Sequence, residues 1–270
     1  MRLAIANLRV SKLWADLGWV RLLPALAFCL NSIAQAGLPS TGDPSVAVRK
    51  QFHDAQLRHK AQPANTEAAW QFARACFDLA ELATNNTQRG DIAEQGIEAS
   101  KQLLSREPRS AAGHYYLGMN LGQLARSKGI SALKLVTDME REFETARDLD
   151  QSFDYAGPDR SLGLLYRDAP PLISIGNRIR ARKHVLRAVE LSPDYPENRL
   201  NLIETFLKWN DRNTARSELK TLEEVLPRAR AALAGSAWVN NWVDWDDRLR
   251  KIKKRLEEPS KAIISPRQKD

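Results

Sequence analysis

The sequence predicts an all-α fold of stacked helix–turn–helix hairpins, and three observations predict it. Ala, Leu, Glu, Arg and Lys are abundant and β-branched runs are few, which favours helix over strand. One plan occurs twice between Gly157 and Pro227: Leu162, Gly163 and Tyr166 precede Ala181, Val185, Ala188 and Pro193, and Leu202 and Phe206 precede Ala215, Leu219, Leu222 and Pro227. Trp238, Trp242, Trp245, Leu249, Ile252 and Leu256 then follow at alternating spacings of 4 and 3, one helical stripe.

The two copies share a ruler. Ala181 to Ala215 is 34 residues, and Pro193 to Pro227 is again 34. That period, with small, large and proline residues in this order, is the tetratricopeptide signature, and it implies a right-handed superhelical array closed by a capping helix. A hairpin of this size cannot bury its apolar stripe alone, so neighbours must stack. Gly118 and Gly163 each give up about 1 kcal/mol of helix propensity relative to alanine, which close helix approach explains. Proline is expected to end each second helix by withholding an N–H.

In chain order, residues 37–64 read as a linker and a first helix from about Val46 to Lys60. Residues 65–235 hold about four degenerate hairpins. The first helix after the linker is capped by Asn65 or Thr66, with Glu67 near its positive end. Measured from the leading leucine to the closing position, the spans are 29 residues (Leu79 to Pro108), 34 (Leu117 to Gln151), 31 (Leu162 to Pro193) and 25 (Leu202 to Pro227). The excess is expected between the helices of a pair, where a solenoid tolerates insertions. Residues 236–257 form the cap, with Arg248, Arg250, Lys251, Lys253, Lys254 and Arg255 as its solvated outer face, and 258–270 a disordered tail.

Residues 1–36 read as a signal peptide: Arg2, Arg9, Lys12 and Arg21 precede the apolar run Leu22–Ile33, and Ala34-Gln35-Ala36 offers a cleavage site before Gly37. The alternatives are an uncleaved anchor and, through Cys29, a lipoprotein. Cleavage would remove four basic residues and one acid, taking the net charge from +8 to about +5. That excess is spread through the helices, which argues against nucleic acid. Cys76 would remain as a lone, buried thiol.

No catalytic constellation stands out. His53, His59, His114 and His184 are scattered, no phosphate-cradling glycine loop or G-x-S-x-G is present, and no metal or cofactor is expected. Asp148, Asp150, Asp154 and Asp159 read as structural or solvated acids rather than a calcium loop. A binding surface is the better prospect. The first helices of the hairpins carry Tyr115, Tyr116, Asn120, Arg160, Arg167, Asn201, Glu204 and Lys208, a mixture of aromatic faces, amides and fixed charge suited to a partner. The competing reading for the tyrosines is core. Arg160 and the 169–176 loop are expected to border any distinctive binding edge.

Residues 110–245 resemble the T-component (TatT) family associated with periplasmic TRAP transporters. The blocks are Tyr115-Tyr116-Leu117-Gly118, Phe153-Asp154-Tyr155-Ala156-Gly157-Pro158, Leu162-Gly163-Leu164-Leu165-Tyr166, Ser174-Ile175-Gly176 and Ser192-Pro193-Asp194-Tyr195-Pro196-Glu197-Asn198. The resemblance implies a periplasmic helical scaffold, with a homo-oligomer and a small or apolar ligand among the expectations, that docks on a solute-binding protein. The expected function is therefore a non-enzymatic exported scaffold with a protein partner on its concave face. The alternative is a carrier for a small hydrophobic solute in a tunnel through the repeats.

Overall fold

A computed structural model describes residues 44–128 and 132–258, all helix and connecting turn, with no strand among them. The proposed signal peptide, most of the linker and residues 259–270 of the tail lie outside the described residues. Chain contacts divide the described residues into two units, 44–192 and 193–258.

The first unit holds α1 (Pro44–Ala61), α2 (Thr66–Glu81), α3 (Asn86–Arg106), α4 (Ala111–Lys128), α5 (Leu133–Leu149), α6 (Phe153–Asp168) and α7 (Arg178–Leu191). Side-chain caps start four of them: Asn65 accepts from Ala68 N at 2.9 Å, Asn85 from Gln88 N at 2.8 Å, Ser110 from Gly113 N at 3.1 Å and Asn177 from Arg180 N at 2.9 Å. Each cap satisfies one of the amides that a helix start leaves bare. Helices α2 and α3, α4 and α5, and α6 and α7 pack as hairpins, while α2 and α4, and α4 and α6, also touch directly. The first helices thus form one face.

Close approach fixes the glycines. A Cβ on Gly118 would lie 2.6 Å from the Phe143 ring of α5, and one on Gly163 would lie 2.6 Å from Val185 Cγ1 and 2.9 Å from its backbone N on α7. Around these points Leu117, Phe143, Ala146, Leu162, Ala181 and Ala188 are buried. Cys76 is fully buried, and burial pushes its thiol far above the ordinary range.

The second unit holds α8 (Pro196–Lys208), α9 (Arg212–Ala232), a short 3-10 turn (Ser236–Trp238) and α10 (Val239–Glu257). Trp238, Trp245, Ile252 and Leu256 are buried, and α10 packs on α8. The helix ends lock each other: Arg255 donates to Leu207 O at the end of α8, and Arg212 of α9 donates to Leu256 O near the end of α10, both at 2.9 Å. Cations there also meet the negative helix end.

Three expectations need correcting. Pro227 does not end its helix, since α9 continues to Ala232; one missing N–H is tolerated inside a long helix whose buried face runs on through Ala229. Arg248 is not solvated but 4% exposed, because the buried stripe of α10 runs through 245, 248, 252 and 256. In the second hairpin the extra length is not a loop. It extends α4 well past Leu117, because Leu121, Leu124 and Ala125 prolong the buried stripe. Among the described residues the α6–α7 connection, 169–177, is the one long loop between the helices of a hairpin.

Candidate partner-binding face

Helix α6 opens with a left-handed turn. Asp154, Tyr155 and Ala156 have φ of 51°, 56° and 62°, each costing about 1–2 kcal/mol for a residue with a Cβ. Arg160, one helical turn further on, holds it: its guanidinium donates to Asp154 O at 3.1 Å, Tyr155 O at 3.2 Å and the Asp154 carboxylate at 2.6 Å. Pro158 suits the first turn of the regular helix that follows, where its missing N–H costs nothing. Gly157 lets the Tyr115 ring approach, for a Cβ there would lie 2.9 Å from it. The G-P-x-R block of the sequence is the grammar of this turn.

The turn delivers Phe153 to an aromatic group. Trp70 stacks on Tyr116 with ring centres 5.8 Å apart, and Phe153 meets Trp70 edge-on at 6.4 Å and Tyr115 at 5.4 Å. Trp70 and Phe153 are half-buried, whereas Tyr115 and Tyr116 are buried. One face of α2 continues from Trp70 through Arg74 and Asp78, residues four apart and therefore stacked. Beyond them Glu81, with Gln123 and Arg126 of α4, forms a buried polar bridge, Arg126 lying 2.7 Å from Glu81.

Asp78 is the anomaly of this face. It is 4% exposed, its Oδ1 accepts no hydrogen bond among the described residues, and the Arg74 guanidinium stands 3.8 Å from Oδ2. Burial pushes its carboxyl up to about 7; Arg74 opposes this, while Asp154 and Glu81 add to it. A group so placed is costly to ionise and ready for a cationic or hydrogen-bonding partner.

The eight residues expected from sequence fall as follows. Tyr115, Tyr116, Asn120 and Arg160 come together but are buried, at 0–1% exposure. Asn120 donates to Ala73 O and Tyr116 O, tying α4 to α2, and Arg160 reaches Tyr115 OH at 3.4 Å. Arg160 thus braces the face rather than bordering it. Arg167 stands apart, its side chain nearly covered and paired with Asp168 at 2.6 Å. In the second unit, buried Asn201 and half-buried Glu204 are joined by Arg248, at 2.6 and 2.8 Å, and Lys208 is exposed. Burial opposes the charged guanidinium of Arg248, but Glu204, Glu197 and Asp244 outweigh it and hold it above the usual range.

Sequence reasoning passed over Trp70, Arg74 and Asp78. Their four-residue spacing was available, but the stronger apolar stripe of Phe72, Cys76 and Phe77 on the same helix masked it. Elsewhere in the first unit, His184 pairs with buried Asp159 at 2.7 Å, and His114 with Glu142 at 2.6 Å. An open cleft of about 910 Å³ is lined largely by charged side chains, among them Arg147, Asp150, Lys183 and Arg187. No cluster of three or more His, Cys, Asp or Glu that could hold a metal occurs among the described residues. No described helix is long and apolar enough to cross a membrane.

Residues 47–154 match the family described as "RMD1-3: Regulator of microtubule dynamics protein 1-3". A curated relative, Regulator of microtubule dynamics protein 3 of Rattus norvegicus, is 36% identical over 62 residues, 23% of this chain. The matched stretch spans only 13% of that relative's length. A thermophilic tetratricopeptide protein of Thermus thermophilus, known from its crystal structure, superposes with a TM-score of 0.57 at 19% identity, covering 78% of this chain and 96% of that one. At that identity the likeness bears on the fold alone, and the fold agrees with the 34-residue period: this is a tetratricopeptide-like helical repeat protein.

Proposed function

We propose that the chain is a non-enzymatic scaffold that binds a segment of a protein partner on the face formed by α2, α4 and α6. The observation that carries this reading is Asp78, a buried carboxyl with an unsatisfied oxygen beside Arg74, on the same strip of α2 as Trp70, whose half-exposed ring meets that of Phe153. Packing alone gains nothing from such a group, and a partner's basic or amide side chain would complete it. The finer reading is an exported protein whose partner is a solute-binding component of a TRAP-type transporter. It rests on the signal-like residues 1–36 and on the TatT-like blocks within 110–245. The match over residues 47–154 supports a second partner class, the one named by the regulators of microtubule dynamics. The carrier reading is less favoured, because most of the side chains lining the large open cleft are charged.

The test is a photo-crosslinking residue in place of Trp70 or Tyr155 in intact cells, with the captured protein identified by mass spectrometry. Capture that Asp78→Asn abolishes supports the scaffold, and the identity of the protein separates a transporter component from a cytoskeletal one. Absence of any Asp78-dependent capture rejects the reading.

A further inference from the structure

In the first unit helix direction alternates, so the start of α5 and the α6–α7 turn share one edge. On the latter stand Leu172, 95% exposed, Ile173, 52% exposed, and, in the first turn of α7, Ile179, 83% exposed. Leu172 and Ile179 are the most exposed large hydrophobic side chains among the described residues. Helix α7 buries Ala181, His184, Val185 and Ala188, so Ile179 and Lys183 share one outward strip and Arg178 and Arg182 the next. All four are exposed. No acidic residue interrupts the sequence between Asp168 and Glu190, and within that stretch Arg180 reaches to Glu140 and Glu144 of α5. The first turn of α5 adds exposed Leu133 and Lys134. The opposite edge, at the α5–α6 turn, carries Asp148 and Asp150 with Arg147, and Lys183 also borders the charged cleft that these residues line.

We propose that the α6–α7 edge docks on an anionic lipid surface. Leu172, Ile173 and Ile179 enter the boundary between headgroups and acyl chains, and Arg178, Arg182 and Lys183 meet the lipid anions. Shape favours a membrane over a protein. The apolar side chains project from a turn rather than lining a groove, and projecting tips need either a matching cavity or a fluid that closes around them. The turn is also ordered in advance, with Ser174 N donating to Pro170 O at 3.1 Å and Asn177 N to Tyr166 O at 2.9 Å, so presenting the tips costs little entropy. This site is independent of the α2–α4–α6 face.

The test is flotation of the full-length chain with phosphatidylcholine vesicles, alone or with about 30 mol% phosphatidylserine. Anionic vesicles are expected to retain about tenfold more protein than neutral ones, and L172D/I179D and R182E/K183E each to remove most of that difference. These positions are exposed, and unchanged circular dichroism checks the fold. If both variants float like the wild type, the binding belongs elsewhere in the chain and the proposal is overturned. A polarity-sensitive dye on Leu172→Cys, in a Cys29→Ser background, is expected to shift to the blue on anionic vesicles only; an unshifted spectrum overturns insertion. Photo-crosslinking from position 172 that captures one protein species instead of lipid also overturns it.

Discussion

The Arg160 guanidinium reaches back six residues to the Asp154 carboxylate, 2.6 Å away, and in doing so fixes three left-handed residues ahead of its own helix. Both side chains are almost fully covered, so removing one leaves the other buried without its counter-charge. Arg160→Ala is expected to cost about 3–5 kcal/mol, seen as a lower Tm. Arg160→Lys should recover little of it, because an ammonium cannot hold two carbonyls and a carboxylate in one plane.

Asp78 sets stability against function. An acid whose folded pKa, about 7, lies above its ordinary 3.8 keeps its proton longer in the folded state. Its contribution is therefore most favourable below that ordinary value and falls as pH rises toward about 7. At pH 8 Asp78→Asn should raise Tm, by on the order of 1–3 kcal/mol of stability, and the gain should vanish at pH 4. The same variant should lose the partner. A lower Tm at pH 8 would show the carboxylate to be satisfied in solution.

His114 behaves in the same sense and its partner Glu142 in the opposite one. The hydrogen bond to Glu142 raises its pKa above 6.5, although partial burial works the other way. Burial would raise the carboxyl of Glu142, but bonds from His114 and Arg141 outweigh it and bring it below 4.5. The histidine's contribution is complete below pH 6.5 and is lost as pH rises through its folded pKa; that of Glu142 is lost as pH falls through its own. Thermal melts should thus peak between these limits, and His114→Gln should flatten the decline from pH 6 to 8.

The two packing glycines should differ. Alanine at Gly163 would press on the backbone N of Val185, which cannot turn away, whereas alanine at Gly118 meets only the Phe143 ring. Gly163→Ala should lower Tm more than Gly118→Ala, and Phe143→Leu should rescue only the latter. Equal, independent losses in the double variants would contradict this.

How much of this was legible in advance follows from what repeats. The 34-residue period, the Asn65 cap and the burial of Gly118, Gly163, Ala181 and Trp245 are local or periodic, and periodic signals survive in a sequence. The length of α4 was not legible, because an insertion that keeps the apolar spacing reads as a loop only when counted from outside. Arg248 and Arg160 were misplaced for another reason. A buried arginine is defined by carboxylates and carbonyls elsewhere in the chain, and charge alone suggests surface. Tyr115 and Tyr116 fell on the right helix, but which flank of it is covered depends on Phe153, delivered by a turn of the opposite hand.

That turn has a consequence for how the protein survives its surroundings. Proteases take their substrates in extended form. Tyr155, 39% exposed in the turn that opens α6, would be an inviting cut site for an enzyme that selects aromatics. Its backbone instead curls left-handed, with its carbonyl held by Arg160. The bond is guarded by handedness rather than by cover, so nicking at Tyr155 would report the moment the hairpin loosens, before the rest of the unit gives way.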